Sequence, residues 1–320
     1  MCTVGRHKLV HCTTMTSFSD TWADVEPVSQ DDGPNPVVSI MYDPDYSRKM
    51  DIFRAVLRSG EKSMRVIELT AELVDMNAAN YTVWKYRRDC LRSLQVDLST
   101  ELDYMDKFME ENPKNYQIWY HRRAIVELSA QTDRELPYCN SVLSVDPKNY
   151  HAWGHRQWVV GKFGLFDGEL EFTSQLIESD VCNNSAWNYR WFIIHKQTTE
   201  TPSSEVLERE VAFCFSKIDL LPDNESTWNY LRGLNRNHPS LKSMIQENVL
   251  NLKASISEKT SGRNVICLFL WSLLVDMYEE NQTSESLQSA LILIDELEAH
   301  DKIRAKYWRQ RHTLITHQLE

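Results

Sequence analysis

One pattern, Asn-x-x-x-Trp-x-x-Arg, restricts the fold of this chain more than any other feature. It occurs as Asn80…Trp84…Arg87, Asn115…Trp119…Arg122, Asn149…Trp153…Arg156 and Asn183…Trp187…Arg190. A fifth copy, Asn224…Trp228, carries its arginine one place late, at Arg232. Successive starting asparagines are 35, 34, 34 and 41 positions apart, and a period of this size marks stacked helical hairpins. Each such unit buries its apolar face only against its neighbours, so the 320 residues are expected to form one continuous solenoid instead of separate globular domains. The expected fold class is all-α, an α-α solenoid of about seven helical hairpins.

Local chemistry places the motif within a unit. Asn is a favoured helix N-cap, and Pro113, Pro147 and Pro222, each two residues before the asparagine, stop the preceding helix. The motif is therefore expected to open the first helix of each unit, with Asn, Trp and Arg on one face. The Trp would wedge hairpins together, and most of the arginines would pair with acids of the neighbouring repeat. Second helices show apolar stripes at helical spacing, such as Leu98, Leu102, Met105 and Met109, or Leu207, Val211, Cys214 and Ile218. The longer polar link Thr198–Ser204 accounts for the 41-residue step. Projection by 40 residues past Asn224 reaches Asn264 with Leu268, then Arg304 with Trp308 and Arg311. Two degraded copies bring the expectation to seven units and about fourteen helices, as terminal repeats are often atypical.

The repeat domain is expected over 42–320, with helix starting near Asp43-Pro44. Residues 1–41 lack helical periodicity, and Asp31-Asp32-Gly33-Pro34-Asn35-Pro36 is turn chemistry. Residues 1–19 are expected to be disordered and 20–41 to form an irregular arm, pinned to the first hairpin by Trp22, Val37, Val38 and Ile40.

Composition removes several function classes. A net charge of −11 with a pI near 5.4 argues against a nucleic-acid footprint, which needs a basic face. Local positive charge inside the motifs, as in His121-Arg122-Arg123, suits a small anion or acidic groups of a partner. Seven cysteines, odd in number, with no C-x-x-C pair and at least ten positions apart, indicate neither a disulfide framework nor a zinc knuckle, and fit a reducing compartment. The longest apolar run, Val265 to Val275, is too short to cross a bilayer, so no membrane insertion is expected. Residues 1–16 contain Arg6 and Lys8 but no apolar stretch of the signal-peptide kind; the expected location is cytoplasmic.

A self-contained active site is not apparent. No Gly-rich phosphate loop is present. His151 and His155 have the i, i+4 spacing that can clamp zinc, but the segment lacks the glutamate of H-E-x-x-H and a third ligand, so no metal is expected on this chain and a hydrogen-bonding pair on a polar rim is the better reading. The Trp series sits one turn into each motif helix, which points to packing and not to a platform for bases. Lys114 and Lys148 precede Asn115 and Asn149 at equivalent turns, on one rim of the array.

Beyond the generic solenoid, the 34-residue period is shared with tetratricopeptide repeats, whose architecture the fold should resemble, but their W-x-x-L-G-x-x-Y pattern is missing. Asn-x-x-x-Trp-x-x-Arg following Asp/Asn-Pro-Lys resembles the repeat of the protein prenyltransferase alpha subunits, in particular those of the farnesyl and type I geranylgeranyl enzymes. Supporting stretches include Trp22-Ala-Asp-Val25, Gln30-Asp-Asp-Gly-Pro-Asn-Pro-Val-Val38, Asn77-Ala-Ala-Asn-Tyr-Thr-Val-Trp84, Pro113-Lys-Asn-Tyr-Gln-Ile-Trp119 and Lys148-Asn-Tyr-His-Ala-Trp153. The likeness covers residues 22 to about 311.

The resemblance implies that the solenoid is a right-handed superhelical crescent wrapped around a beta subunit, and that the pair is a heterodimeric CaaX protein prenyltransferase, active only as the dimer, transferring farnesyl or geranylgeranyl from its diphosphate to a cysteine thiol near the C-terminus of target proteins. It implies zinc on the beta subunit, and allows magnesium. Carried over by motif position, Lys114 falls at the diphosphate, Tyr116 near the isoprenoid, and Gln117 at the CaaX carboxylate as a neutral donor. Tyr81 would line the pocket for the last peptide residue. Asn149, Tyr150 and His151 fall on the other polar group near the diphosphate, with His151 a hydrogen-bond donor. Two other readings are a non-catalytic helical-repeat adaptor and the alpha subunit of the Rab-directed geranylgeranyltransferase. The chain departs from the family pattern at Gly154, where a larger polar residue is usual.

Overall fold

The computed structural model describes residues 17–197, 201–259 and 267–320. The expected disorder of residues 1–16, part of the link at 198–200, and Asn264 lie outside the described residues. Every regular element within them is helical.

The chain divides into two compact units, 1–142 and 143–320. The first holds α1 (Phe18–Thr21), α2 (Pro44–Ser59), α3 (Met64–Met76), α4 (Tyr81–Ser93), α5 (Leu98–Glu111), α6 (Tyr116–Ser129) and the start of α7 (Glu135–Val145). The second holds α8 (Tyr150–Phe163), α9 (Glu169–Ser179), α10 (Asn184–Lys196), α11 (Ser204–Leu220), α12 (Glu225–Asn237), α13 (Lys242–Lys259), α14 (Leu268–Asn281), α15 (Ser284–His300) and α16 (Ala305–Leu319). A 3₁₀ turn at Pro239–Leu241 separates α12 from α13.

Each motif asparagine caps its helix as expected. Asn115 Oδ1 accepts from Gln117 N at 2.9 Å, Asn149 Oδ1 from His151 N and Ala152 N at 3.0 Å each, and Asn224 Oδ1 from Ser226 N at 3.1 Å. The motif tryptophans are buried, and each indole N–H donates to the carbonyl six residues back: Trp84 to Ala78, Trp119 to Pro113, Trp153 to Pro147, Trp187 to Val181 and Trp228 to Pro222. The wedge thus also donates a hydrogen bond to a carbonyl of the turn before its helix. In the second unit the same carbonyls bind one repeat to the next, since Asn183 Nδ2 donates to Pro147 O at 3.1 Å and Asn224 Nδ2 to Val181 O at 2.7 Å.

The motif helix does not open its hairpin. It closes it: α4 packs against α3, α6 against α5, α10 against α9 and α12 against α11. The Asn-Pro-Lys-Asn type of turn is only four residues long and folds the motif helix back on the helix before it, while the motif arginine reaches forward to the next hairpin. Arg87 Nε and Nη2 grip Glu101 at 2.7 and 2.6 Å, Arg122 grips Glu135 at 2.9 and 2.7 Å, Arg156 grips Glu169 at 2.7 and 2.5 Å, and Arg190 grips Glu210 at 2.7 Å twice. These carboxylates are buried and bidentate, the geometry in which a guanidinium fork is most selective.

The degraded copies differ from projection. Cys267, not Asn264, is the N-cap residue of α14, its thiol lies 3.5 Å from Pro222 O, and buried Trp271 takes the tryptophan place four residues on. Leu268 merely starts the helix. The last copy holds: Arg304 precedes α16, Trp308 is buried and donates to Asp301, and Arg311 pairs with Asp276 and Glu279.

The arm also departs from expectation. Phe18–Thr21 forms one helical turn with a capping box on Ser17, and Trp22 is buried beneath Arg65, whose guanidinium lies 4.5 Å from the indole. Val37, Val38 and Ile40, expected to pin the arm, are 98, 81 and 67% exposed.

Candidate functional site

The motif helices present their first residues at one end of each hairpin, and the family-implied residues gather at those ends. In the first unit, Lys114 is the third residue of the turn closed by Asn115 N donating to Asn112 O at 3.2 Å, and it is exposed. Tyr116 opens α6 and is 69% exposed, with half-buried Gln117 behind it. Tyr81 takes the equivalent place on α4 and is 70% exposed. In the second unit, Tyr150 opens α8 and is 75% exposed, its ring 5.6 Å from that of half-buried His151 in an edge-on contact. Asn149 itself is buried, and its side-chain oxygen is engaged by the two backbone N–H groups of the cap. It fixes the helix end that carries Tyr150 and His151.

The electrostatics of these ends favour an anion. Helix N-termini carry partial positive charge, and acids commonly neutralise it. No acid occupies the first turn of α4, α6, α8 or α10, whereas Glu101, Glu169 and Glu171, Glu205 and Glu225 stand in the first turns of α5, α9, α11 and α12. Helix N-termini capped by a neutral asparagine, with no acid in the first turn, therefore lie beside Lys114 and His151. Lys148, equivalent to Lys114 one repeat later, lies 3.6 Å from Asp180 Oδ2.

His151 and His155 do not form a rim pair. His155 is 5% exposed and turned inward, at a position, the sixth after the motif asparagine, that in other copies faces the first helix of its own hairpin. His121, Tyr189 and Tyr230 occupy the same position and bond Glu101, Glu169 and Glu210 at 2.8, 2.5 and 2.8 Å. Among the described residues there is no group of three His, Cys, Asp or Glu side chains able to hold a metal ion.

Each of these three glutamates thus serves two helices: the arginine of the motif helix before it and the ring of the one after. Burial works against the charge of Glu101, but His121 and Arg87 outweigh it and hold the carboxyl at about 2. Burial depresses His121 to about 4 despite the neighbouring carboxylate, so the ring is neutral. Burial and the Glu169 and Glu210 carboxylates push the Tyr189 and Tyr230 hydroxyls upward. Sequence reasoning missed the glutamates, although Glu101, Glu135, Glu169 and Glu210 are spaced by 34, 34 and 41 residues, the same steps as the asparagines from Asn115 to Asn224.

Comparison with known proteins agrees with this geometry. The profile of the protein prenyltransferase alpha subunit repeat matches residues 64–94, 98–129, 132–163, 166–197 and 207–238, each match holding one hairpin with the motif helix second. The chain is 38% identical over 307 residues to the protein farnesyltransferase/geranylgeranyltransferase type-1 subunit alpha of Dictyostelium discoideum, covering 93% of this chain and 94% of that one. With the subunit of the same name from Schizosaccharomyces pombe it shares 53% identity over 235 residues, 73% of this chain and 79% of the relative. A solved structure, Candida albicans protein geranylgeranyltransferase-I complexed with GGPP, superimposes with a TM-score of 0.81 at 27% identity, over 95% of this chain and 100% of that chain. With the repeat in register and relatives matched over 94 and 79% of their length, this chain belongs to the protein prenyltransferase alpha-subunit family, on the farnesyltransferase/geranylgeranyltransferase type-1 branch.

Proposed function

We propose that this chain is the alpha subunit of a heterodimeric CaaX protein prenyltransferase. Paired with a beta subunit, it takes part in transfer of a farnesyl or geranylgeranyl group from its diphosphate to the cysteine thiol of a CaaX-terminated protein. The observation that carries this reading is the pairing of exposed Lys114 and Tyr116 with an acid-free helix N-terminus, in a chain whose relatives bear that enzyme's name.

Charge builds on the leaving diphosphate as the bond to the isoprenoid breaks. Fixed donors that strengthen as this charge develops accelerate the step, and loss of one such donor costs roughly a hundredfold or more. Lys114 supplies a full positive charge beside the N–H groups of α6. His151, a half-buried ring at the N-terminus of α8, donates a hydrogen bond, and Tyr150 adds its hydroxyl. Tyr116 presents an aromatic face to the isoprenoid. Gln117 donates to the CaaX carboxylate, and Tyr81 borders the last peptide residue. Asn149 contributes by holding the start of α8.

Zinc, with magnesium as an optional companion of the diphosphate, belongs in this reading to the partner's side of the complex. The described residues of this chain offer no cluster of ligands for it, and no step here is assigned to a metal. A cytoplasmic location completes the proposal: no described helix is long and apolar enough to cross a membrane, and Cys90, Cys182, Cys214 and Cys267 are free thiols.

The test is Lys114→Ala in the αβ complex. Turnover should fall by about a hundredfold while CaaX peptide binding changes little. Unchanged turnover removes Lys114 from the site.

A further inference from the structure

Arg88 is out of keeping with the other inward-leaning arginines of the repeat. Arg87, Arg122, Arg156, Arg190 and Arg311 each hold a carboxylate. Arg88, next to Arg87 on α4, is half-buried and has no carboxylate within ion-pair distance among the described residues. Burial pulls its guanidinium below the usual arginine range and outweighs the upward pull of Tyr120 and of the neighbouring Asp89 carboxylate, so its desolvation is only partly offset within the chain.

Its orientation is nevertheless fixed. His121 Nε2 donates to Glu101 Oε1 at 2.8 Å, which leaves Nδ1 as an acceptor, and Arg88 Nη1 lies 3.2 Å from that Nδ1. The guanidinium carbon sits 5.0 Å from the centre of the Tyr120 ring on α6, and Tyr120 is 57% exposed. One N–H is taken by His121 and one face by Tyr120, while Nε and Nη2 bond no group among the described residues and are not sealed from solvent. Lys85, one turn nearer the helix start, is already paired with Asp89 at 2.6 Å and does not compete for an anion.

We propose that Arg88, braced by His121 and Tyr120, is a docking point for a carboxylate side chain of the beta subunit. This rests on the alpha-subunit reading above. A planar fork held in place fits a carboxylate bidentately and needs little ordering on association. Continuity selects the partner subunit over the CaaX terminus. Arg88 lies seven residues along α4 from Tyr81, roughly 10 Å down the same face, so a subunit closing over the Tyr81 and Tyr116 end would cover it next. The small peptide carboxylate is assigned to Gln117 at the end itself. The glutamate network that ties α4, α5 and α6 together therefore also sets the donor geometry of the interface, through the tautomer of His121.

The test uses the full chain and its complex with a farnesyltransferase or geranylgeranyltransferase type-1 beta subunit. Phenylglyoxal labelling of the wild type, read by mass spectrometry, should modify Arg88 in the chain alone and leave it protected in the αβ complex, with exposed Arg58 labelled in both. Arg88→Glu should weaken subunit association by a hundredfold or more, and Arg88→Met by about thirtyfold, with a loss of salt dependence. Circular dichroism of each variant chain should match wild type, because Arg88 carries no carboxylate of its own fold. Arg88 that stays reactive in an active complex, or association unchanged in Arg88→Glu, overturns the docking point and leaves the alpha-subunit reading standing. Protection that appears only on adding CaaX protein also overturns it, in favour of the substrate. Failure of the wild-type chain to bind any such beta subunit removes both.

Discussion

Glu210→Ala should be among the most damaging single substitutions in the second unit. Glu210 is fully buried, holds both arms of Arg190 at 2.7 Å and accepts the Tyr230 hydroxyl at 2.8 Å. Removing it leaves Arg190, itself 3% exposed, as a buried charge without a counterion. Breaking a buried pair by deleting one partner costs about 3–5 kcal/mol, most of it the penalty of the stranded charge and not the worth of the pair. The cycle is completed by Arg190→Met, expected to cost a similar amount, and by the double variant Arg190→Met/Glu210→Ala. Removing both charges together strands neither, so the double variant should be far more stable than the sum of the singles, with a coupling of about 2 kcal/mol or more. Urea unfolding of the full chain, followed by far-ultraviolet circular dichroism, gives each value from the midpoint at constant slope. A loss below about 1 kcal/mol for Glu210→Ala, or simple additivity in the double variant, refutes the idea that these glutamates join the hairpins.

Gly154→Ala should raise stability by roughly 1 kcal/mol, since a mid-helix glycine is costly and an added Cβ meets nothing within 4 Å; a lower melting temperature contradicts this. Acid should destabilise the first unit in two steps. His121 has its folded pKa depressed to about 4 from 6.5, so stability falls as the unfolded chain takes up that proton below pH 6.5, until pH 4. Glu101, depressed to about 2 from 4.5, loses its contribution between pH 4.5 and 2. At ~1.4 kcal/mol per pH unit each step amounts to at most on the order of 3 kcal/mol, and a flat urea midpoint between pH 7 and 4 is inconsistent with a neutral buried His121. Lys148→Ala, which removes the partner of Asp180, should leave turnover of the complex within about twofold, against the large loss expected for Lys114→Ala; equal losses would mean that the two turns do the same chemistry.

The repeat was legible because its positions carry separable physical duties. Asn caps, Trp fills and donates to a turn carbonyl, Arg reaches the next hairpin, and each duty restricts the residue type. What stayed hidden depends on direction and on partners. A periodic pattern has no marked beginning, so the motif helix read equally well as first or second of its hairpin; only the forward reach of Arg87 to Glu101 and the fold-back of α4 on α3 decide it. Projection by a fixed step failed at Asn264 because loop length varies, while the cap-to-Trp distance does not, and Cys267…Trp271 keeps that distance. His155 was misplaced because His151 and His155 share a helix face in sequence spacing, yet only the first lies at the helix end. The exposure of Val37, Val38 and Ile40 could not be read from hydrophobicity, which says that a residue favours burial but not what buries it. For the candidate site, the helix ends were derivable from capping alone. The particular roles of Lys114, Tyr116 and Gln117 come from the family resemblance, and the structure adds the exposure of Lys114 and Tyr116 and the absence of acids in the first turn of α6.

The most direct measurement is prenyl transfer by the co-expressed chain and a farnesyltransferase or geranylgeranyltransferase type-1 beta subunit, assayed with both isoprenoid diphosphates and a CaaX peptide. A stable 1:1 complex should turn over with at least one of them, and its Lys114→Ala variant should keep its peptide affinity while losing about a hundredfold in rate. No complex with either beta subunit, or full turnover by a beta subunit in the absence of this chain, would contradict the alpha-subunit assignment.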